Sequence, residues 1–73
     1  MPERPRPLRL LGLNVRKHRE AAGLTQEKLA EKADLDRTYL SGIEIGTRNA
    51  TILSVSRVAK ALKLTLSELT EGL

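Results

Sequence analysis

The stretch Thr25–Gly46, TQEKLAEKADLDRTYLSGIEIG, predicts two short helices joined by a tight turn. Its first half is expected to form a helix at about 25–33, because the apolar residues fall at i, i+1 and i+4 and make one stripe. Those residues are Leu29, Ala30 and Ala33. The other faces of this helix are charged or polar, so we expect only one side to pack against the domain.

The second half of the stretch predicts a helix at about 36–45 whose two sides differ in character. Leu40 and Ile43 are spaced to face inward with Leu35, and Asp36 is placed to cap the N-terminus. The opposite face carries Arg37, Thr38, Ser41 and Gly42. A polar, arginine-bearing face with small residues fits the major groove of DNA, which admits an α-helix. The pattern therefore indicates a DNA-recognition helix.

Three segments of the chain resemble the helix-turn-helix of the Cro/C1-type (XRE) repressor family, namely TQEKLA, LDRTYLSGIE and GTRN. The last two are most similar to controller proteins of restriction-modification systems. The resemblance extends over roughly 11–69. It implies an all-α fold, a compact five-helix lambda-repressor-like DNA-binding domain at 9–73, which follows a flexible basic arm at 1–8.

DNA contacts are expected from particular side chains, some because of the chemistry of base recognition and others because of the resemblance. Arg37 is expected to read a base, because a guanidinium that donates two hydrogen bonds to guanine is the commonest specific contact. Thr38 and Ser41 would offer hydroxyls to base edges, while Gly42 would let the helix lie close to the DNA. Contacts to the DNA backbone or to flanking positions are expected from Gln26, Tyr39, Arg48 and Asn49.

A structural ion pair between Arg19 and Glu44 is implied as well, since the family joins its first helix to the end of the recognition helix in this way. Breaking a partly buried pair of this kind leaves one charge uncompensated, at a cost of about 3–5 kcal/mol. His18 is the only histidine and falls on the apolar stripe of the first helix, so we expect it to have a structural role.

The N-terminal sequence predicts an extended segment followed by the first helix. Met1–Pro7 contains three prolines and is expected to be extended, either as a disordered tail or as a basic arm that touches DNA. The first helix is predicted at Leu8–Ala22, because apolar residues recur there at helical spacing and Gly23 supplies a left-handed cap at its end.

The C-terminal sequence predicts two further helices. The fourth is expected at about 51–62 with Ile52 at the start of its inward stripe, and a capping box at Thr65–Glu68 is expected to open a short fifth helix. Asp34 and Lys63 occupy positions where relatives often have glycine. Aspartate tolerates the left-handed conformation better than most residues, so the turn at Asp34 is expected to survive at some cost.

Self-association is expected from the size of the domain. A domain of 73 residues buries only about 60% of the surface of its unfolded chain, so it gains stability by forming a homodimer. Leu53 lies off the inward stripe of the fourth helix, and the other candidates for a dimer interface lie towards the C-terminus. The proposed interface set is Leu53, Leu66, Leu69 and Leu73.

Composition excludes several other classes of function. The sequence has no Cys and one His, so it supplies neither a thiolate metal site nor an evident nucleophile and base, and we predict no enzyme activity, no metal and no cofactor. No apolar run approaches the roughly 18 residues of a membrane span, which favours a cytoplasmic protein. The net charge of +4 agrees with a nucleic acid as partner.

These features predict a sequence-specific regulator of transcription that binds paired half-sites in double-stranded DNA as a homodimer. A controller protein of a restriction-modification system is the leading interpretation. A phage-type repressor and the antitoxin of a toxin-antitoxin pair are the alternatives, although the chain leaves little room for an added toxin-binding segment. The operator sequence, the choice between activation and repression, and any effector stay open.

Overall fold

The computed structural model describes residues 5–73, which form five α-helices and no strand. The helices are α1 Arg6–Ala21, α2 Gln26–Ala33, α3 Arg37–Ile45, α4 Ile52–Ala61 and α5 Leu66–Leu69. The predicted all-α, five-helix architecture is confirmed. In the described part of the chain, no helix has both the length and the apolar character needed to cross a membrane.

The core draws one fully buried side chain from each helix. These five side chains are Val15, Leu29, Leu40, Val58 and Leu69, in the order α1 to α5. Full burial of a Val or Leu side chain contributes roughly 1.5–3 kcal/mol relative to exposure. Because every helix contributes to one shared cluster, the position of α3 is set by contacts with α1 and α2 as well as by its own sequence.

Side-chain caps open four of the helices where the sequence places Thr or Asp. The capping oxygens belong to Thr25, Asp36, Thr51 and Thr65, and each accepts a hydrogen bond from a backbone N–H of its helix. At Thr65 the capping box is complete, because the Glu68 carboxylate accepts hydrogen bonds from the Thr65 backbone N–H and hydroxyl. Those bonds lower the pKa of Glu68.

A residue in the left-handed conformation follows each of the first four helices. Gly23, Asp34, Gly46 and Lys63 have φ values of 72, 56, 79 and 59° respectively. At each of these ends the next residue's N–H reaches back to a carbonyl five positions earlier, as Leu64 does to Ala59 at 2.8 Å. Asp34 and Lys63 therefore adopt the conformation that glycine would favour.

The contact between α1 and α3 depends on a glycine in the middle of a helix. A Cβ atom on Gly12 would lie 2.5 Å from the backbone oxygen of Ile43 and closer still to that of Glu44. Only glycine allows the two backbones to approach this closely. Gly12 thereby seats the C-terminal end of α3 directly on α1.

Two of the sequence predictions about helix limits and faces are wrong. Helix α1 begins at Arg6, so residues 6–8 are helical and do not belong to an extended arm. Pro7 falls in the first turn, where proline is tolerated because that N–H has no partner within the helix. The rest of the predicted arm, residues 1–4, lies outside the described residues. Ile52 is 71% exposed, because the first residue of α4 precedes the part of that helix that meets the core.

Candidate nucleic-acid interface

Three chain segments form the candidate interface, namely the start of α2, the start of α3 and the loop after α3. Arg37 and Thr38 are exposed in the first turn of α3, and Ser41 is half-buried one turn later. Asp36 fixes this end of the helix, because its carboxylate accepts hydrogen bonds from the N–H groups of Thr38 at 2.8 Å and Tyr39 at 3.2 Å. The cap satisfies these two N–H groups, and the Arg37 side chain projects outward.

Gly42 does not lie on the outer face. It is buried, and a Cβ atom there would collide with Cγ of Arg48 and lie 3.3 Å from its Cβ. The Gly42 carbonyl accepts hydrogen bonds from the backbone N–H groups of Thr47 at 2.9 Å and Arg48 at 3.3 Å. The expectation that Gly42 faces the DNA is therefore wrong. The loop after α3 folds back over this glycine, so Gly42 positions Arg48 instead.

Tyr39 is half-buried and connects α3 to the loop and to the start of α4. Its hydroxyl lies 3.1 Å from the Ser54 Oγ, and it donates to the Asn49 carbonyl and accepts from the Thr51 N–H, both at 3.4 Å. The hydrogen bond with Ser54 lowers the pKa of Tyr39 and outweighs the effect of burial. The hydroxyl is thus directed at the Ser54 side chain and at the backbone of residues 49 and 51, and it holds the 49–51 segment against α3.

Arg19, Glu44 and Gln26 form one hydrogen-bonded cluster behind the interface. Arg19 donates from Nε to Glu44 Oε2 at 2.7 Å and from Nη2 to Oε1 at 3.0 Å. Gln26 donates from Nε2 to the same Oε1 at 3.0 Å, and Arg19 Nη1 donates to the Leu24 carbonyl at 2.9 Å. The bonds to Glu44 raise the pKa of Arg19. The cluster joins α1, α2 and α3, and the implied Arg19–Glu44 ion pair is part of it.

The unpaired positive charge of the interface is carried by Arg37 and Arg48, and an exposed acid, Glu27, lies at the start of α2. Both arginines are exposed, and neither forms an ion pair with a carboxylate of residues 5–73. Asn49 is exposed beside Arg48, with its carbonyl held by Tyr39. Two unpaired guanidinium groups on one face are suited to phosphate oxygens and to guanine edges. Across the described residues, no three His, Cys, Asp or Glu side chains group as metal ligands.

Three residues that position this site or the C-terminal turn were missed by the sequence reasoning. Gly12 seats α3 on α1, and the Oγ of buried Ser54 lies 3.1 Å from the Tyr39 hydroxyl. Asn14 donates to the carbonyls of Leu69 and Glu71, both at 2.9 Å, and so ties the C-terminal turn to α1. A glycine in the middle of an otherwise strong helical pattern was an available signal for Gly12. The other two depend on contacts between distant segments.

The proposed dimer-interface residues fall into two groups. Leu53 and Leu73 are 58% and 48% exposed, and Leu66 is half-buried against the core. Leu69 is fully buried within its own domain, so its assignment to a dimer interface is wrong. The reason is that α5 packs against both α1 and α4, which encloses this side chain.

His18, which the sequence analysis expected to have a structural role, is half-buried on α1.

Comparison with known proteins agrees with this arrangement. A family model for helix-turn-helix proteins matches residues 15–69. Control protein C.MunI from a Mycoplasma species is 45% identical over 51 residues, which is 70% of this chain and 69% of that protein.

Solved structures of controller proteins also superpose on this chain. The restriction-modification controller protein C.AhdI from Aeromonas hydrophila superposes with a TM-score of 0.83 at 40% identity, covering 85% of this chain and 94% of that one. The tetramer of controller protein C.Esp1396I, solved in complex with its natural 35 base-pair operator, gives a TM-score of 0.79 at 43% identity. That match covers 84% of this chain and 80% of the other.

Helix α3 is capped and exposed, and it is supported by α2 and by a basic loop. This arrangement defines the class of helix-turn-helix transcription regulators. The extent of the family match and the identity to controller proteins make the assignment specific. This chain belongs to the Cro/C1-type (XRE) helix-turn-helix family.

Proposed function

We propose that this chain is the controller protein of a restriction-modification system. In this proposal it regulates transcription as a homodimer on paired half-sites in double-stranded DNA, in the cytoplasm, by binding and not by catalysis. The observation that carries the proposal is the exposed first turn of α3, where Arg37 and Thr38 project beyond the Asp36 cap. The controller proteins among its relatives support the restriction-modification context.

The DNA contact that we assign to each side chain follows from the contacts of that side chain within the protein. Arg37 has no carboxylate partner in residues 5–73 and lies at the helix end that enters the groove, so it is assigned to a guanine edge. Arg48 lies beside α3 on the loop and is assigned to phosphate. Gln26 donates to Glu44, so its main effect on DNA binding is to orient α3. The face of the domain that carries Arg37 also includes or borders Thr38, Tyr39, Ser41 and Asn49.

Two copies are needed to read a paired site. Each copy carries one exposed α3, whereas paired half-sites present successive major grooves about 34 Å apart on one side of the duplex. One recognition helix therefore serves one half-site. Leu53, Leu66 and Leu73 remain as apolar contacts for a two-fold interface.

Selection of binding sites from a random duplex library, followed by titrations of single-base variants at two salt concentrations, tests the proposal. Arg37→Ala is expected to weaken binding to the selected site by about 1–3 kcal/mol and to flatten the preference at one base pair in each half-site. Gln26→Ala is expected to weaken binding to every sequence alike. Arg48→Ala is expected to reduce the salt slope by about 1 per subunit.

Lys17→Ala is the control, because Lys17 is exposed on α1 and is not part of the three segments of the interface. Its affinity and its sequence preference should match those of the unmodified protein. If Arg37→Ala loses affinity equally for every variant and for random DNA, α3 does not read sequence through this residue. If the unmodified protein enriches no sequence, the proposed function is wrong.

A further inference from the structure

A second basic surface lies between the C-terminal halves of α2 and α4. It surrounds an open groove of about 450 Å³. The groove is lined by Lys32, Ala33, Asp34, Arg57, Lys60 and Ala61, and we call it the α2–α4 groove. Ala33 is buried and Ala61 is half-buried, so the alanines form the floor of the groove, whereas its four charged residues are exposed.

The charges of the α2–α4 groove are not balanced internally. Lys32, Arg57 and Lys60 are exposed, and none of them forms an ion pair with a carboxylate of residues 5–73. Even Asp34, which lines the same groove, forms no ion pair with any of the three. Three cations and one carboxylate leave an excess of two positive charges around one concavity. Such a concentration of one sign attracts an anionic partner.

The α2–α4 groove lies away from the candidate DNA interface. Lys32 is six positions after Gln26 on α2, which is about 9 Å along the helix axis. Arg57 and Lys60 lie six and nine positions after Thr51, the residue that contacts Tyr39, or about 9–14 Å along α4. A duplex placed against the first turn of α3 meets the opposite ends of both helices. None of the six lining residues belongs to the three segments of the candidate DNA interface.

We propose that the α2–α4 groove is a docking surface for an acidic segment of a partner protein. Arg57 presents a planar guanidinium that matches a carboxylate, and Lys32 and Lys60 add two further positive charges to the same groove. The alanine floor lets a peptide backbone approach closely. Asp34 disfavours a polyphosphate, because it places a negative charge at the edge of the groove, whereas a peptide can meet it with a neutral or basic residue.

Nuclear magnetic resonance of the ¹⁵N-labelled full chain tests this proposal with a short synthetic peptide that alternates Glu with Leu and Ala. The peptide is expected to shift the amide signals of Lys32, Asp34, Arg57 and Lys60. The double substitution Lys32→Glu and Arg57→Glu is expected to weaken peptide binding by about tenfold or more, because two attractive charges become repulsive. Because both side chains are exposed, the variant should stay folded, with a small fall in melting temperature from the acid that Lys32→Glu places in the last turn of α2.

The matched control carries the same change of charge on α1, as Arg6→Glu and Lys17→Glu. The proposal requires this control to retain peptide binding, and an equal loss in both variants would show that only net charge matters. A peptide that shifts the signals of Arg37 and Arg48 instead would overturn the assignment to this groove. Equal shifts with inorganic phosphate would show an unspecific anion site.

Duplex DNA provides the last comparison. Lys32→Glu with Arg57→Glu should leave the salt slope of DNA binding unchanged, and a lower slope would show that the groove binds the duplex and not a protein. The two proposals fail separately. Loss of DNA selectivity in Arg37→Ala bears on the recognition helix, whereas loss of peptide binding in the α2–α4 variant bears on the groove.

Discussion

At the scale of single residues, the most constrained group is the buried carboxylate of Glu44. Its side chain is only 2% exposed, and that of Arg19 is 13% exposed. Glu44 accepts hydrogen bonds from both Arg19 and Gln26, which lie on α1 and α2. A buried carboxylate is tolerated only when it is paired and hydrogen-bonded. This requirement makes the position of α3 depend on two other helices.

We predict that Arg19→Ala destabilises the protein more than Glu44→Ala does. Without Arg19, Glu44 stays buried with only the Gln26 amide as partner, at a cost of about 3–5 kcal/mol. Without Glu44, Arg19 keeps the Leu24 carbonyl and reaches water. The double variant should cost less than the sum of the single ones. Denaturant unfolding of the four proteins measures this, and simple additivity would show that the two residues do not interact.

At the scale of elements, the orientation of α3 is set by its ends and by one close approach. Asp36 caps its start, Gly46 ends it in a left-handed conformation, and Gly12 seats its last turn on α1. Each device satisfies backbone groups or removes a steric conflict that the helix could not resolve alone. The helix that presents Arg37 is consequently held at both ends.

We expect Gly12→Ala to destabilise the domain by about 1–3 kcal/mol, although alanine is the better helix former. The added methyl group would meet the backbone oxygens of Ile43 and Glu44, which cannot move aside as a flexible side chain can. Helix α1 must then shift away from α3. Thermal unfolding measures the loss. A melting temperature equal to or above that of the unmodified protein would show that the α1–α3 approach is looser than described.

Lys63→Gly is expected to stabilise the protein by about 0.5–1 kcal/mol. The left-handed conformation costs a non-glycine residue about 1–2 kcal/mol, and part of this gain is offset by the greater freedom of glycine in the unfolded chain. Lys63 has a φ of 59°. Gly23→Ala is the reciprocal control. Gly23 has a φ of 72° and open space around it, so only the backbone strain of an alanine in this conformation should lower the stability of the protein. A destabilised Lys63→Gly would mean that the lysine side chain contributes more than its backbone costs.

At the scale of the whole molecule, the fold leaves apolar side chains on its surface that the core does not use. Leu53 and Leu73 are largely exposed near the C-terminal helices, while Leu69 completes the core. The two kinds of leucine should therefore respond differently to substitution. Substitution of Leu53 or Leu73 should affect association, whereas substitution of Leu69 should affect folding.

Leu53→Lys is predicted to weaken the homodimer without changing the fold, because a charge would be placed in an apolar contact. Sedimentation at micromolar concentration should show more monomer, with helical content unchanged. Leu13→Lys is the matched control, since Leu13 is 60% exposed on α1 and lies outside the proposed interface. Leu69→Ala should instead lower the stability of the domain by about 2–5 kcal/mol. A strict monomer before any substitution would refute the dimer.

Local chemistry in the sequence determined the helices and their ends. The apolar stripe of α2, the Asp36 cap and the Thr65–Glu68 capping box could be predicted because each depends on residues within a turn or two of one another. The exposed face of Arg37 and Thr38 followed from helical spacing in the same way. The first turn of α1 was missed because proline was taken to exclude a helix, although its first turn tolerates one.

Tertiary structure alone decided which exposed positions of a helix are covered by another segment. Gly42 shares a predicted face with Thr38 but is buried, because the following loop folds back over it. Leu69 and Leu73 have the same side chain, yet only Leu69 is enclosed, because α1 and α4 meet on that side of α5. Periodicity fixes the direction of a side chain relative to its own helix. What lies in that direction depends on how the helices pack, and burial follows from that packing.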